Sequence, residues 1–287
     1  MEVAAPISKS LKYFGVLVVA IALVLVWVPR QSVDPWGLVN PYKILQLILF
    51  LSLIQVLSAL VMRIFSKRFG GIALGFVGGL ISSTAFTASL AKQSHEASED
   101  EVRLLSLSYL SALLGMALEA LLLVFLGLTE KHWVLLYIFG APILMTLFLI
   151  VHRAKTLSHV VFDEDPIPTL GVTSLLTLSL FVAIFLILSK VLQRVLGPYG
   201  LYLLTFFVCL FELHGSIIGN VQLHESDVLS VKSLGHLLAL GILASYLAKM
   251  TLIIVFANEG LRRRVVSYSL KLVLSLAVGW LIFFMVV

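Results

Sequence analysis

Two stretches of small and polar residues interrupt long apolar runs in this sequence, and they are the segments best equipped for chemistry. They are Gly78–Ala85 (GGLISSTA) and Glu212–Ser216 (ELHGS). Hydroxyl and carbonyl oxygens can replace the water shell of a monovalent cation, and a carboxylate can carry a proton. Because polar groups are costly in lipid, both stretches predict either a partner helix or a translocation pathway.

The first stretch divides into two faces when its residues are placed at 100° per residue on a helix. One face is a stripe of small residues, which lets a second helix approach closely. We predict that this stripe serves helix packing: Gly75, Gly78, Gly79 and Ser82. The other face carries hydroxyl groups, which either bond to their own backbone or, if the helix breaks at the glycines, line an ion or solute site. Its members are Ser83, Thr84 and Thr87.

The second stretch places Glu212 and Ser216 on one helix face, near the middle of an apolar run. A carboxylate near the bilayer midplane stays protonated, pairs with a cation or faces water. We predict that both residues contact the translocated species. His214 points to a different side and is predicted to be a donor to a neighbouring helix or part of a gate. Asn220 and His224 are predicted to lie at the outer interface.

Two charged residues recur at matching places in the two halves of the chain. The triplet Ser111, Gly115 and Glu119 returns as Gly241, Ser245 and Lys249 at a constant offset of 130 residues. The opposite charges of Glu119 and Lys249 predict an ion pair inside the membrane, because pairing lowers the cost of burying either charge. Whether the pair is a structural lock or a gate is left open by the sequence.

The elements that position these residues are membrane helices. Hydrophobic residues make up 60% of the 287 residues and charged residues 12%, with a mean hydropathy of +1.10. Such a chain cannot form a soluble core with a polar coat, so we predict one integral membrane domain over residues 1–287. The single cysteine, Cys209, excludes an internal disulfide and a cysteine metal cluster. We expect no cofactor and no metal centre.

Cutting the chain at charges, Pro and Gly predicts an all-α, polytopic bundle of about nine transmembrane helices. The spans are Leu11–Val28, Ile44–Phe65, Ile72–Ala91, Leu104–Leu128, Trp133–Val151, Leu170–Leu192, Gly200–Leu223, Leu234–Ala257 and Val265–Val287. Residues 1–30 would form an extra N-terminal helix, and residues 43–152 and 170–287 would form two repeat units of four helices. Since four is an even number of crossings, we predict a parallel repeat.

Lys and Arg counted in alternate loops orient the bundle. Eleven fall on the side that holds the N-terminus and seven on the other side. We therefore expect a cytoplasmic N-terminus and an external C-terminus in the bacterial inner (plasma) membrane. The net charge of +5 is explained by this topology, and no soluble basic domain is present that would bind nucleic acid.

The segment Val77–Ala91 (VGGLISSTAFTASLA) resembles the signature of the MgtC/SapB-related membrane proteins, in their C-terminal multi-span domain of uncharacterised function. Asn40–Lys43, and Lys249 ahead of Arg262–Arg264, also look similar to that family, so the resemblance runs from about Val39 to the C-terminus. The chain departs from the family at two places. Glu212–Ile218 stands where the family tends to have aspartates, and Glu119 stands where it tends to have an arginine.

We predict a membrane transporter or channel for an ion or small solute, with its polar site near the bilayer midplane between the two repeats. The absence of an ATP-binding motif predicts passive or ion-coupled transport. The alternative is a membrane-embedded regulatory or assembly protein whose small-residue stripes bind a second copy or another membrane protein. Enzyme activity is not expected, because the sequence has no His-Glu-x-x-His run, nucleophile elbow or paired aspartates.

Overall fold

The computed structural model describes residues 16, 19, 23–34, 39–65, 70–154 and 172–287. Within these ranges the chain is all-α, which confirms that part of the predicted fold class, and no strand occurs there. Residues 23–27 are helical. The principal helices are α1 (Pro41–Phe65), α2 (Gly71–Gln93), α3 (Glu99–Gly127), α4 (Leu136–Ala154), α5 (Val172–Leu196), α6 (Pro198–Cys209), α7 (Leu213–Glu225), α8 (Val231–Phe256) and α9 (Glu259–Val286).

Five described segments are helical, long and apolar enough to cross a membrane, which confirms the prediction of an integral membrane protein. They are Gly71–Gln93, Glu99–Gly127, Trp133–Ala154, Val231–Phe256 and Glu259–Val286. The predicted first span lies largely outside the described residues, as does the whole linker between α4 and α5.

Capping side chains, and in one case a Gly-Pro pair, fix where several helices begin. Asn258 Oδ1 accepts the Leu261 N–H at 2.9 Å and starts α9. Ser98 and Glu101 form a reciprocal capping box at the start of α3, with the Ser98 N–H donating to Glu101 at 2.7 Å. Gly197 adopts a φ of 63°, a left-handed conformation that glycine tolerates, and Pro198 then opens α6. Local sequence therefore sets these boundaries through known capping rules.

The chain divides into two compact units. The first unit comprises Met1–Leu57, Ala120–Trp133 and Thr169–Gly241, and the second comprises Ser58–Glu119, Val134–Pro168 and Ile242–Val287. In the first unit α5 packs on α6 and α7, and in the second α4 packs along α9. Close packing in the second unit needs Gly279, because a Cβ there would lie 2.2 Å from the Tyr137 carbonyl oxygen.

The prediction that successive loops alternate strictly between the two sides of the membrane is wrong at two places. Strict alternation of the predicted spans places Lys43 and Thr129 on opposite sides, yet Lys43 Nζ donates to Thr129 Oγ1 at 3.1 Å within the first unit. Strict alternation also places His95 and the segment after α8 on opposite sides, yet His95 Nε2 lies 2.9 Å from the Phe256 carbonyl oxygen within the second unit. The physical reason is that two of the predicted spans reverse direction.

Candidate functional site at two helix breaks

The first polar stretch breaks its helix. Ser82 has extended backbone angles, φ −165° and ψ 96°, in the middle of α2. Its hydroxyl accepts the Ala85 N–H at 3.3 Å, which is how a serine caps the first turn of a helix. A new helical segment therefore starts at Ser82, with its N-terminus inside the apolar run.

The two segments of α2 run in opposite directions. Gly71 accepts a hydrogen bond from Ser108 Oγ at 2.8 Å, and a Cβ on Gly79 would lie 2.2 Å from the Ala112 carbonyl oxygen, so the first segment follows α3 in the same direction. The second segment returns to the start of α3, because Ser94 follows it and Glu99 opens α3. We call Gly71–Gln93 hairpin 1; its tip is Ser82.

The predicted packing glycines make close contacts in the second unit. A Cβ on Gly75 would lie 2.3 Å from the Ser108 carbonyl oxygen, and a Cβ on Gly78 would lie 2.4 Å from the Phe86 ring. Gly75 and Gly79 therefore pack on α3, whereas Gly78 makes room for the returning segment of its own hairpin. Ser82, assigned to the same stripe by sequence, is instead the cap at the break.

The three predicted hydroxyl residues follow the tip. Thr87 is fully buried and its hydroxyl donates to the Ser83 carbonyl oxygen at 2.7 Å, so this threonine bonds to its own helix. Ser83 is also buried, while Thr84 is half-buried. Thr84 is thus the one of these three residues whose side chain is partly exposed at the tip.

The second polar stretch is also a helix break. Glu212 has extended angles, φ −140° and ψ 102°, and precedes α7. Its carboxylate accepts the backbone N–H groups of His214 at 3.0 Å and Gly215 at 3.3 Å, and it lies 3.7 Å from His214 Nδ1. The Glu212 side chain is 38% exposed. Glu212 therefore caps α7 and at the same time presents a carboxylate at the break.

The chain reverses at this break too. Thr205 on α6 and Asn220 on α7 are hydrogen-bond partners, with Asn220 Nδ2 3.3 Å from Thr205 Oγ1. The end of α6 and the start of α7 surround one point on α8, where a Cβ on Gly241 would lie 2.9 Å from Cys209 Sγ and 3.6 Å from a Leu213 methyl carbon. We call Pro198–Glu225 hairpin 2; its tip is Leu210–Glu212.

Hairpin 2 encloses a polar cluster of Thr205, Ser216 and Asn220. All three side chains are 1% exposed or less. The prediction that Asn220 is interfacial is therefore wrong. The reversal at the tip carries Asn220 back beside α6, where it is buried. Its spacing of four residues from Ser216 was the available signal, because that spacing places both on one helix face.

Buried charge occurs in the second unit. Glu119 is 0% exposed and Lys249 is 4% exposed. Lys249 Nζ donates to Ser245 Oγ at 2.7 Å, and Ser245 Oγ donates to Met116 Sδ at 3.4 Å. The Glu119–Lys249 ion pair itself stays a prediction.

A polar network at the end of hairpin 2 holds three elements of the first unit together. Glu225 accepts the Thr129 N–H at 2.9 Å and is also bonded by Lys43 Nζ and Thr129 Oγ1. Burial raises the pKa of Glu225, but the Lys43 and Thr129 hydrogen bonds outweigh that effect and hold the pKa below its usual value. His224 Nε2 lies 3.3 Å from His132 Nε2 beside it.

Each hairpin tip brings together the C-terminus of one helical segment and the N-terminus of the next. These ends carry partial negative and partial positive charge, respectively. In hairpin 1 the N-terminus is capped by a neutral hydroxyl. In hairpin 2 the Glu212 carboxylate offsets the positive end, which leaves the tip favourable to a cation. No group of three or more His, Cys, Asp or Glu that could hold a metal ion occurs among the described residues.

Comparison with known families gives one match. A family model described as a domain of unknown function (DUF4010) matches residues 48–257, which include both hairpins. No curated protein matches the chain, and no solved structure matches it.

Proposed function

The chain belongs to the family of the domain of unknown function DUF4010, and we propose that it is an integral membrane transporter or channel for an ion or small solute. The observation that carries the proposal is the pair of helical hairpins. Ser82 and Glu212, the two residues that cap the new segments, lie 130 residues apart, the same offset as Glu119 and Lys249. Broken helices at membrane depth are tolerated where they are buried in protein or line a water-filled cavity.

The hairpins change the predicted symmetry of the repeat. Helices α3, α4 and α5, with 29, 19 and 25 residues, separate hairpin 1 from hairpin 2. If each crosses once and a hairpin returns to its own side, hairpin 2 enters from the opposite face of the membrane. Each repeat then has three crossings and one hairpin. We therefore propose an inverted repeat, an arrangement common among secondary transporters, in place of the parallel one.

The positive charges favour this topology. With the predicted first span counted as one crossing, twelve Lys and Arg fall on the face where hairpin 1 begins, against six on the other face. The bias is stronger than the eleven to seven of strict alternation, and it keeps the N-terminus cytoplasmic and the C-terminus outside. The twelve are Lys9, Lys12, Arg63, Lys67, Arg68, Lys92, Arg103, Arg153, Lys155, Arg262, Arg263 and Arg264.

We assign roles by position. Each hairpin tip is assigned its own contact with the translocated species, Thr84 in hairpin 1 with Ser83 in support and Glu212 in hairpin 2 with Ser216 in support. Glu119 and Lys249 compensate charge or gate the path. Thr87 donates to its own helix and is assigned a structural role. The relation to MgtC/SapB-related proteins stays a prediction.

The test is flux in liposomes that contain the purified protein. A panel of monovalent ions, divalent ions and small anions is offered to wild type, Thr84→Val and Glu212→Gln, with Glu96→Gln as a control in an exposed loop. We expect one class of solute to move, both tip variants to slow it at least tenfold, and the control to match wild type. Absence of flux for the whole panel favours the regulatory or assembly alternative. Flux unchanged in both tip variants would overturn the site assignment.

A further inference from the structure

We infer that hairpin 2 holds a dehydrated monovalent cation of the size of Na⁺ between Thr205, Ser216 and Asn220. The inference rests on the proposed transport function and deepens it, because it names an ion for the second hairpin. Thr205 and Asn220 were not among the site residues predicted from sequence.

The spacing of the cluster fits a small cation. Asn220 Nδ2 lies 3.3 Å from Thr205 Oγ1 and 3.5 Å from Ser216 Oγ. The two ends of an amide side chain are interchangeable by a half-turn, which would place Oδ1 at these distances. Oxygens about 2.4 Å from a cation, the range that hard cations adopt in proteins, are about 3.4 Å from each other in octahedral geometry. With the amide turned, the Asn220 oxygen would stand at about that distance from the Thr205 and Ser216 hydroxyls.

The same spacing is long for hydrogen bonds. Direct bonds between neutral groups centre near 2.8–3.0 Å. Elsewhere in the molecule buried hydroxyls reach such values, with Tyr109 Oη 3.0 Å from Ser269 Oγ. Thr205 Oγ1 and Asn220 Oδ1, in contrast, are 3.5 Å apart. A buried amide and two buried hydroxyls held at this distance form a poor hydrogen-bond network but a suitable set of ligands.

The surrounding charges favour a cation over an anion. Thr205 directly precedes the last turn of α6, whose carbonyl groups carry partial negative charge. The positive end of α7 is offset by Glu212, which stands one helical turn before Ser216. The three ligands are neutral, and one carboxylate one turn away balances a single positive charge. Divalent cations bind better where several carboxylates contact them, so the site suits Na⁺.

The experiment measures Na⁺ binding by the purified full-length chain in two ways. Radioactive ²²Na⁺ binding is measured at equilibrium, and the melting temperature is followed as NaCl replaces choline chloride at constant ionic strength. Thr205→Val and Ser216→Ala remove one ligand each. Ser189→Ala is the matched control, because Ser189 is a buried serine of the first unit whose hydroxyl bonds to the Leu186 carbonyl at 2.7 Å.

We expect wild type and Ser189→Ala to bind Na⁺ and to melt at higher temperature as Na⁺ rises. Both ligand variants should bind at least tenfold more weakly. Absence of Na⁺ binding by wild type overturns the inference whether or not the variants fold, and so does wild-type affinity in Thr205→Val and Ser216→Ala. Solute flux without Na⁺ binding would contradict this site alone, whereas Na⁺ binding without flux would contradict the proposed function alone.

Discussion

Thr205 and Asn220 are hydrogen-bond partners 3.3 Å apart, although fifteen residues separate them. In one straight helix the same separation would be about 22 Å. The predicted seventh span therefore reverses inside its apolar run, as the third does where Phe86 packs against Gly78. Both polar stretches become hairpin tips, and each tip presents a capped helix N-terminus. The proposed transport function depends on this geometry.

Replacing Gly79 with alanine should destabilise hairpin 1. A Cβ there would lie 2.2 Å from a backbone oxygen of α3, and backbone cannot move aside as a flexible side chain can. We expect a loss of about 1–3 kcal/mol, seen as a lower melting temperature in detergent. Gly140→Ala is the control, because a Cβ there would meet no atom within 4 Å beyond the adjoining backbone of its own helix. Equal melting temperatures for Gly79→Ala and Gly140→Ala would show that α2 does not pack on α3 in this way.

The two roles of Glu212 can be separated by the choice of substitution. Asn and Asp are both strong N-caps, whereas alanine is not. The free energy of unfolding of Glu212→Asn should lie within about 0.5 kcal/mol of that of Glu212→Asp, while Glu212→Ala should lose about 1 kcal/mol. In flux assays Glu212→Asp should retain activity and Glu212→Asn should lose it, because only aspartate keeps the charge. Full flux in Glu212→Asn would limit Glu212 to capping.

Acid should weaken the network around Glu225. Because its folded pKa is lowered, Glu225 contributes stability above its unfolded pKa, and that contribution disappears as pH falls through the folded pKa. We expect wild type to exceed Glu225→Gln by on the order of 1 kcal/mol at neutral pH. The gap should be constant from about pH 6 to 8 and close below about pH 4, since glutamate in unfolded chains titrates near 4.3.

The control for Glu225 is an exposed ion pair. Glu259 and Arg263 lie 4.0 Å apart with side chains at least 80% exposed. Glu259→Gln should shift the melting temperature little at any pH, because exposed pairs are screened by water and salt. A Glu225→Gln gap that persists unchanged in acid would mean that the Lys43 contact does not form in solution.

A double-mutant cycle tests the predicted Glu119–Lys249 pair. Breaking a buried pair costs about 3–5 kcal/mol, whereas replacing both partners is often close to neutral. Glu119→Gln and Lys249→Met should therefore each destabilise strongly, and the double variant should recover part of the loss. The control is a second double-mutant cycle with Tyr109→Phe and Ser269→Ala, because the hydroxyl oxygens of these two residues lie 3.0 Å apart. Additive effects at Glu119 and Lys249 within about 0.5 kcal/mol would reject the pair.

Composition and capping patterns in the sequence were sufficient to predict a helical membrane protein and the positions of many of its helices. The Ser98 capping box and the Gly197-Pro198 boundary act through neighbouring residues, so a single sequence contains them. The reversals did not follow from such local signals. A helix break at Ser82 and a straight polar helix use the same residues, and the difference shows only in the folded chain, where a Cβ on Gly78 would lie 2.4 Å from the Phe86 ring.

The sequence predicted only part of the candidate site, because some of its residues come together only in the folded chain. Glu212 and Thr84 stood out by type, because a carboxylate or a hydroxyl in an apolar run is rare. Thr205 did not, since a threonine ahead of an aromatic pair is ordinary in a membrane helix. Its importance comes from Asn220, which only the fold brings beside it. Contacts of this kind, between residues far apart in the sequence, cannot be inferred from hydrophobic periodicity.

The most direct test is the sidedness of the hairpin ends. Single cysteines are placed at exposed positions Gly70, Glu96, Tyr199 and Lys232 in a chain with Cys209→Ala, and a membrane-impermeant maleimide is added to vesicles of known orientation. We expect Gly70 and Glu96 to react from one side, and Tyr199 and Lys232 both to react from the other. Reaction of Gly70 and Glu96 from opposite sides would mean that α2 spans the membrane and would contradict the hairpin account.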